Sequence, residues 1–98
     1  MADYYLVELA NGPDWDPTSR RREQAGWEEH AEFMDALAAE GFVVMGGLIV
    51  DVDRGDVLQV VDAESEEAIL ARLADDPWHE TVLTIVSIRP WSVWLRAP

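Results

Sequence analysis

The chain has no cysteine and no lysine. Without cysteine it can form no disulfide staple, thiolate nucleophile or cysteine-ligated metal site. Without lysine it can form no Schiff base. No apolar run approaches the roughly 20 residues that a bilayer-spanning helix needs. The stretch Met1-Ala2-Asp3-Tyr4-Tyr5 has neither the basic start nor the long apolar segment of a secretory leader, so cytoplasmic residence is the expectation. Basic charge is scarce too: seven Arg stand against twenty Asp and Glu, a formal net charge of −13. Nucleic acids and anionic membranes are held by basic surfaces, so neither is expected as a partner. The densest basic run, Arg20-Arg21-Arg22, is followed by Glu23, Glu28 and Glu29 and reads as a solvated helical turn.

What is present is apolar surface. Of the 98 residues 49% are hydrophobic and five are Trp, enough for one domain over 1–98 with a modest core. A domain this small gains stability by pairing with a copy of itself.

Tyr4 to Leu9 reads as a strand ended by Ala10-Asn11-Gly12-Pro13. Asn11 to Pro17 is a loop, after which Asp16 or Thr18 suits a helix N-cap and Pro17 its first turn. From Thr18 to Glu40 the period is helical, with Trp27, His30, Ala31, Met34, Leu37 and Ala38 on one face and Gly41 as the stop. Phe42 to Val50 and Asp56 to Val61 read as two strands joined by a hairpin-length connection with Gly55 near its end. Glu64-Ser65 opens a second helix with Ala68, Ile69 and Leu73 buried, and Asp75-Asp76-Pro77 ends it. Val82 to Ile88 is the last strand, closed by Arg89-Pro90-Trp91.

The order βαββαβ is the ferredoxin-like α+β plan: a four-stranded antiparallel sheet with both helices on one face. The strands carry apolar residues on both faces, Phe42, Val44 and Leu48 against Val43, Met45 and Ile49, and Val82 and Val86 against Leu83 and Ile85. Two helices cover one face only, so the other wants a cover. A homodimer with sheets packed face to face is the expectation.

Two residues stand out chemically. His30 lies on the apolar stripe of the first helix, one turn from Trp27 and Met34. A half-buried imidazole there is either a core histidine satisfied by a partner or a general acid–base. Asp76 precedes Pro77 at the helix end, where the dipole repels negative charge. It is either a turn-forming Asp or the group that orients the His30 ring. His79 beside Glu80 reads as a loop histidine. No His/Asp/Glu set has metal-ligand spacing, no glycine-rich phosphate loop is present, and no cofactor is called for. Gly46-Gly47 marks a β-bulge or a close approach of ligand to backbone, the bulge being preferred.

Trp27-x-x-His30, Gly46-Gly47-Leu48, the Gly55 turn, Ala63-Glu64-Ser65-Glu66-Glu67-Ala68, Asp76-Pro77-Trp78 and Arg89-Pro90-Trp91, taken in this order and spacing over residues 4 to 94, resemble YciI-like (YCII-related) proteins. The resemblance implies a dimeric α+β barrel of two ferredoxin-like sheets, and small enzymes in which a His on the first helix and the Asp of an Asp-Pro step form a dyad. Carried over, the dyad is His30 and Asp76. The wider superfamily includes muconolactone-isomerase-like proteins, dehalogenating lyases and cofactor-free oxygenases. The implied activity is a cofactor-free isomerase or lyase of dehydrohalogenase type acting on a small cyclic or aromatic metabolite, with Trp27, Met34, Gly46, Gly47 and Trp78 around the substrate. The alternative is a non-catalytic small-molecule-binding or accessory dimer. The chain departs from the family where Gly-Pro is common (Gly46-Gly47), where Phe or Tyr usually follows Asp-Pro (Trp78), and where a Gly is common a few residues later (Val82).

Overall fold

The computed structural model describes residues 3–98; Met1 and Ala2, part of the leader reading above, lie outside them. The elements are β1 (Tyr4–Asn11), a 3-10 turn (Arg21–Glu23), α1 (Trp27–Ala39), β2 (Val43–Leu48), β3 (Val57–Val61), α2 (Glu66–Leu73) and β4 (Leu83–Trp91). The four strands form one antiparallel sheet in the order β2-β3-β1-β4. This is the expected ferredoxin-like α+β plan.

Alternation along the strands decides which side chains meet the helices. Val7 and Leu9 of β1 and Val61 of β3 point to the helix side and are buried. They join Leu37 of α1 and Ile69 and Leu73 of α2 in one core cluster with Val43, Trp78, Val82 and Leu83. Each of the larger fully buried side chains contributes about 1.5–3 kcal/mol of burial free energy. Gln59 sits between Val57 and Val61 on this same side, a polar group in a core position.

The first helix begins nine residues later than the periodicity predicts. Residues 16–24 are spent on a side-chain-tied loop instead. Asp16 accepts from the Thr18 amide at 2.9 Å and the Thr18 hydroxyl at 2.6 Å. Gln24, buried, donates to the carbonyls of Asp16 and Ser19 and accepts from the Asp16 amide at 2.9 Å. These local side-chain bonds outcompete the helix ladder. Gly26 then turns the chain into α1 at φ +80°, in the left-handed region.

The other boundaries follow capping rules. Gly41, at φ +80°, closes α1 in a Schellman arrangement: its amide bonds Ala38 and that of Phe42 bonds Leu37, both at 3.0 Å. Ala38, expected on the buried stripe, is exposed because it borders the cavity described below. Ser65 caps α2, its hydroxyl accepting from the Ala68 amide at 3.1 Å. β4 runs on through Pro90 to Trp91, pairing Tyr5 with Pro90 and Tyr4 with Trp91. Proline is tolerated there because β4 is an edge strand.

Two corrections concern β2. The bulge falls between Val43 and Met45, not at the glycines. It therefore reverses the alternation, so Gly46 and Leu48 share the helix side with Val43 while Met45 and Gly47 face away. The β2–β3 connection is also longer than a tight hairpin: 49–56 fold around Gly55, where a Cβ would collide with the carbonyls of Ile49 and Asp51.

The sheet face away from the helices carries an apolar patch that is centred on β2 and β3 and extends through Tyr4 to Trp91 at the end of β4. Met45, Leu58, Val60 and Leu6 adjoin one another in the register, and Met45 is 64% exposed. Along the middle of β4 the same face is polar, carrying Glu8, Ser87 and Arg89, with Glu8 and Arg89 paired at 3.8 Å.

Candidate active site

α1 carries His30 one turn in from Gly26, and the α2–β4 connection brings Asp76 beneath it. His30 Nδ1 lies 2.9 Å from both carboxylate oxygens of Asp76. Both residues are 7% exposed. Asp76 is fixed by its own turn: its Oδ1 also accepts from the Trp78 amide at 2.9 Å, and its carbonyl accepts from the His79 amide at 2.9 Å. The Asp76–Pro77 turn that follows α2 thus aims the carboxylate. A carboxylate is an acceptor, so it selects the neutral imidazole tautomer with the proton on Nδ1. The basic lone pair is then on Nε2.

Aromatic packing holds the ring. Trp78 stacks on His30 with centroids 4.1 Å apart and planes 11° from parallel. Trp27 lies tilted against both, at 6.0 Å from His30 and 5.8 Å from Trp78. The Trp78 indole N–H is satisfied by the Ala25 carbonyl at 2.7 Å. Gly26 is required twice here: its φ is positive, and a Cβ would stand 3.2 Å from the Trp78 indole nitrogen.

His30 lines a cavity of about 270 Å³ between α1 and the β2–β3 end of the sheet. Trp27, Met34, Gly46 and Gly47, named from the sequence, line it as well. The structure therefore brings four of the five expected pocket residues to the wall of the cavity that His30 lines. Trp78 is the exception: it is 1% exposed, backs the imidazole and is not on the cavity wall. Gly46 fits closely under Gln59, whose Cγ would be 3.3 Å from an added Cβ, whereas a Cβ at Gly47 would meet open space.

Among the wall residues that sequence reasoning missed are Arg21 and Gln59. Arg21 corrects the solvated reading of the Arg triplet, being only 6% exposed. Its Nε donates to the Val52 carbonyl, its Nη2 to the Gly55 carbonyl, and its guanidinium lies 5.2 Å from the centre of the Trp15 ring. Burial pushes its pKa down, and the charges of Asp51, Asp53 and Asp56 pull it back up. Nothing in Arg20-Arg21-Arg22 marks the middle residue as the buried one. Gln59 could have been found as the polar residue at an inward position of β3. Its Nε2 makes a weak contact with the Met34 sulfur at 3.5 Å.

Among the described residues no group of three or more His, Asp or Glu is placed to hold a metal ion, and no helix is long and apolar enough to cross a membrane. A larger concavity of about 570 Å³ beside Glu40, Asp62 and Arg72 lies away from the dyad, and its Arg72 is already paired with Glu40 at 2.9 Å.

No curated protein and no solved structure matches the chain. The family model of the YCII-related domain matches residues 8–92, nearly the whole chain. By that match the chain belongs to the YCII-related domain family.

Proposed function

We propose that this protein is a small acid–base enzyme, an isomerase or lyase, in which His30 Nε2 moves a proton on a small cyclic or aromatic metabolite. The observation that carries the reading is the symmetric His30–Asp76 contact at the wall of a largely apolar cavity. Asp76 fixes the tautomer and stabilises the imidazolium that forms when Nε2 takes a proton. Trp78 and Trp27 fix the ring plane. Isomerisation and elimination both reduce to taking a proton from one site and delivering it at another or losing a leaving group, which one His–Asp pair can serve. Positioned proton transfer of this kind is worth typically 10²–10⁴-fold.

The acting unit in this reading is a homodimer, formed through the sheet face opposite the helices. Met45, Leu58, Val60 and Leu6 supply its apolar centre. Gly46, Gly47 and Leu48 border both the cavity and the groove on that open face, so dimerisation would steady the strand that walls the site.

The test is a screen of small cyclic and aromatic metabolites for isomerisation or elimination, run with wild type and His30→Ala side by side. A turnover that falls 10²–10⁴-fold in the folded variant is expected. Undiminished turnover in His30→Ala removes the histidine from the mechanism. Cavity binding with no turnover of any bound compound favours the non-catalytic binding domain.

A further inference from the structure

We propose that the ligand of this cavity is a small organic acid, and that Arg21 is the residue that receives its carboxylate. The inference rests on reading the His30 cavity as the functional site and names the substrate class for it. Arg21 Nη1 is buried and has no hydrogen-bond acceptor among the described residues. The Nε and Nη2 of the same guanidinium donate to the carbonyls of Val52 and Gly55. Gln59 Oε1, on the same cavity wall, is likewise buried without a donor. Buried polar atoms are nearly always satisfied, and each exception calls for a specific partner or role. Here the two open valences complement an anionic oxygen and a hydroxyl.

Charge supports the assignment. Asp51, Asp53 and Asp56 act on Arg21 at a distance, but none makes an ion pair with it among the described residues. The guanidinium thus keeps its Nη1 N–H groups free for a carboxylate oxygen, the partner with which it bonds most strongly. Asp35, also on the wall, and the net charge of −13 disfavour a doubly charged phosphate more than a singly charged carboxylate. Trp27, Met34, Leu48 and Val57 leave an apolar remainder suited to a ring. A carboxylate anchored on Arg21 would present the adjoining carbon skeleton to the wall that carries His30.

The experiment titrates the full chain with benzoate, salicylate and mandelate, each beside its primary amide, following the Trp27 indole and the Gly46 and Gly47 amides by ¹H–¹⁵N NMR. The acids are expected to move these signals, with the amides at least about tenfold weaker. Arg21→Gln should bring acid and amide together, and Arg21→Lys should restore part of the difference. The wild-type comparison stands even if Arg21→Gln disturbs the 49–56 loop. Equal binding of acid and amide, or no response of the cavity to either, overturns the proposal. His30→Ala separates the two claims. An acid preference that persists there, on a protein with no turnover, leaves this inference standing and the catalytic reading fallen. His30-dependent turnover of neutral compounds, unaffected by Arg21→Gln, does the reverse.

Discussion

His30 Nδ1 stands 2.9 Å from each carboxylate oxygen of Asp76, a residue 46 positions further along the chain. The pair costs backbone order and desolvation, yet its imidazole lines a cavity rather than the centre of the core. It also organises the turn, since Trp78 N donates to the same carboxylate.

Substitutions at Asp76 should separate these duties. Asp76→Asn keeps an acceptor for the Trp78 amide but turns an N–H toward His30, which favours the wrong tautomer. Stability is expected to change little while turnover falls on the order of 10²–10⁴-fold. Asp76→Ala leaves the Trp78 amide and the imidazole without a partner and should cost about 1–3 kcal/mol in urea unfolding. Equal turnover in Asn and wild type would reduce Asp76 to a turn residue.

Gly26→Ala should destabilise by about 1–3 kcal/mol, because an alanine must adopt φ +80° and press on the Trp78 indole. Thermal unfolding measures the loss. The indole contact also makes a shift of the His30 ring resonances expected; unshifted resonances would show that Trp78 does not set the ring.

Val50 is a β-branched residue at φ +70° and fully exposed. Replacing it by Gly relieves a strained conformation without removing packing. A gain of about 1 kcal/mol in denaturant unfolding is expected, and a loss would mean that the 49–56 loop depends on the Val50 side chain.

Glu80 links acidity to the α2–β4 connection. The Thr84 hydroxyl first, and then the Ile85 amide, hold its carboxyl below the usual value of 4.5. Because the folded value is depressed, the contribution is complete above pH 4.5 and fades as the pH falls through the lower folded value. The Ile85 amide shift should titrate with a midpoint below 4.5. A midpoint at or above it would mean that these hydrogen bonds do not form in solution.

The proposed dimer joins two copies that each carry −13. Raising ionic strength shortens the screening length to about 8 Å at 0.15 M and should strengthen association. Met45→Glu should give monomers. Sedimentation at several salt concentrations checks both, and a monomer at every concentration rules out the sheet-to-sheet pairing.

The sequence made the fold legible because short, near-continuous apolar runs alternate with stretches of period 3.6 and Gly41, Ser65 and Pro77 punctuate them. It misplaced the start of α1 because Pro17 and Thr18 look like a helix opening, whereas Asp16 and Gln24 use their side chains on the loop backbone. It put Trp78 on the cavity wall because Trp78 follows the Asp-Pro step that supplies Asp76, and only the three-dimensional stacking places it behind the imidazole. Arg21 was hidden by its neighbours: three consecutive arginines read as surface, and the burial of the middle one depends on the distant carbonyls of Val52 and Gly55.

The central claim, that Asp76 holds the proton on Nδ1 and leaves Nε2 as the working base, is tested most directly by a long-range ¹H–¹⁵N spectrum of the His30 ring at a pH where it is neutral. The account predicts a protonated, hydrogen-bonded Nδ1 and an unprotonated Nε2 in wild type, with the tautomer reversed in Asp76→Asn. A neutral ring with its proton on Nε2 in wild type would contradict it.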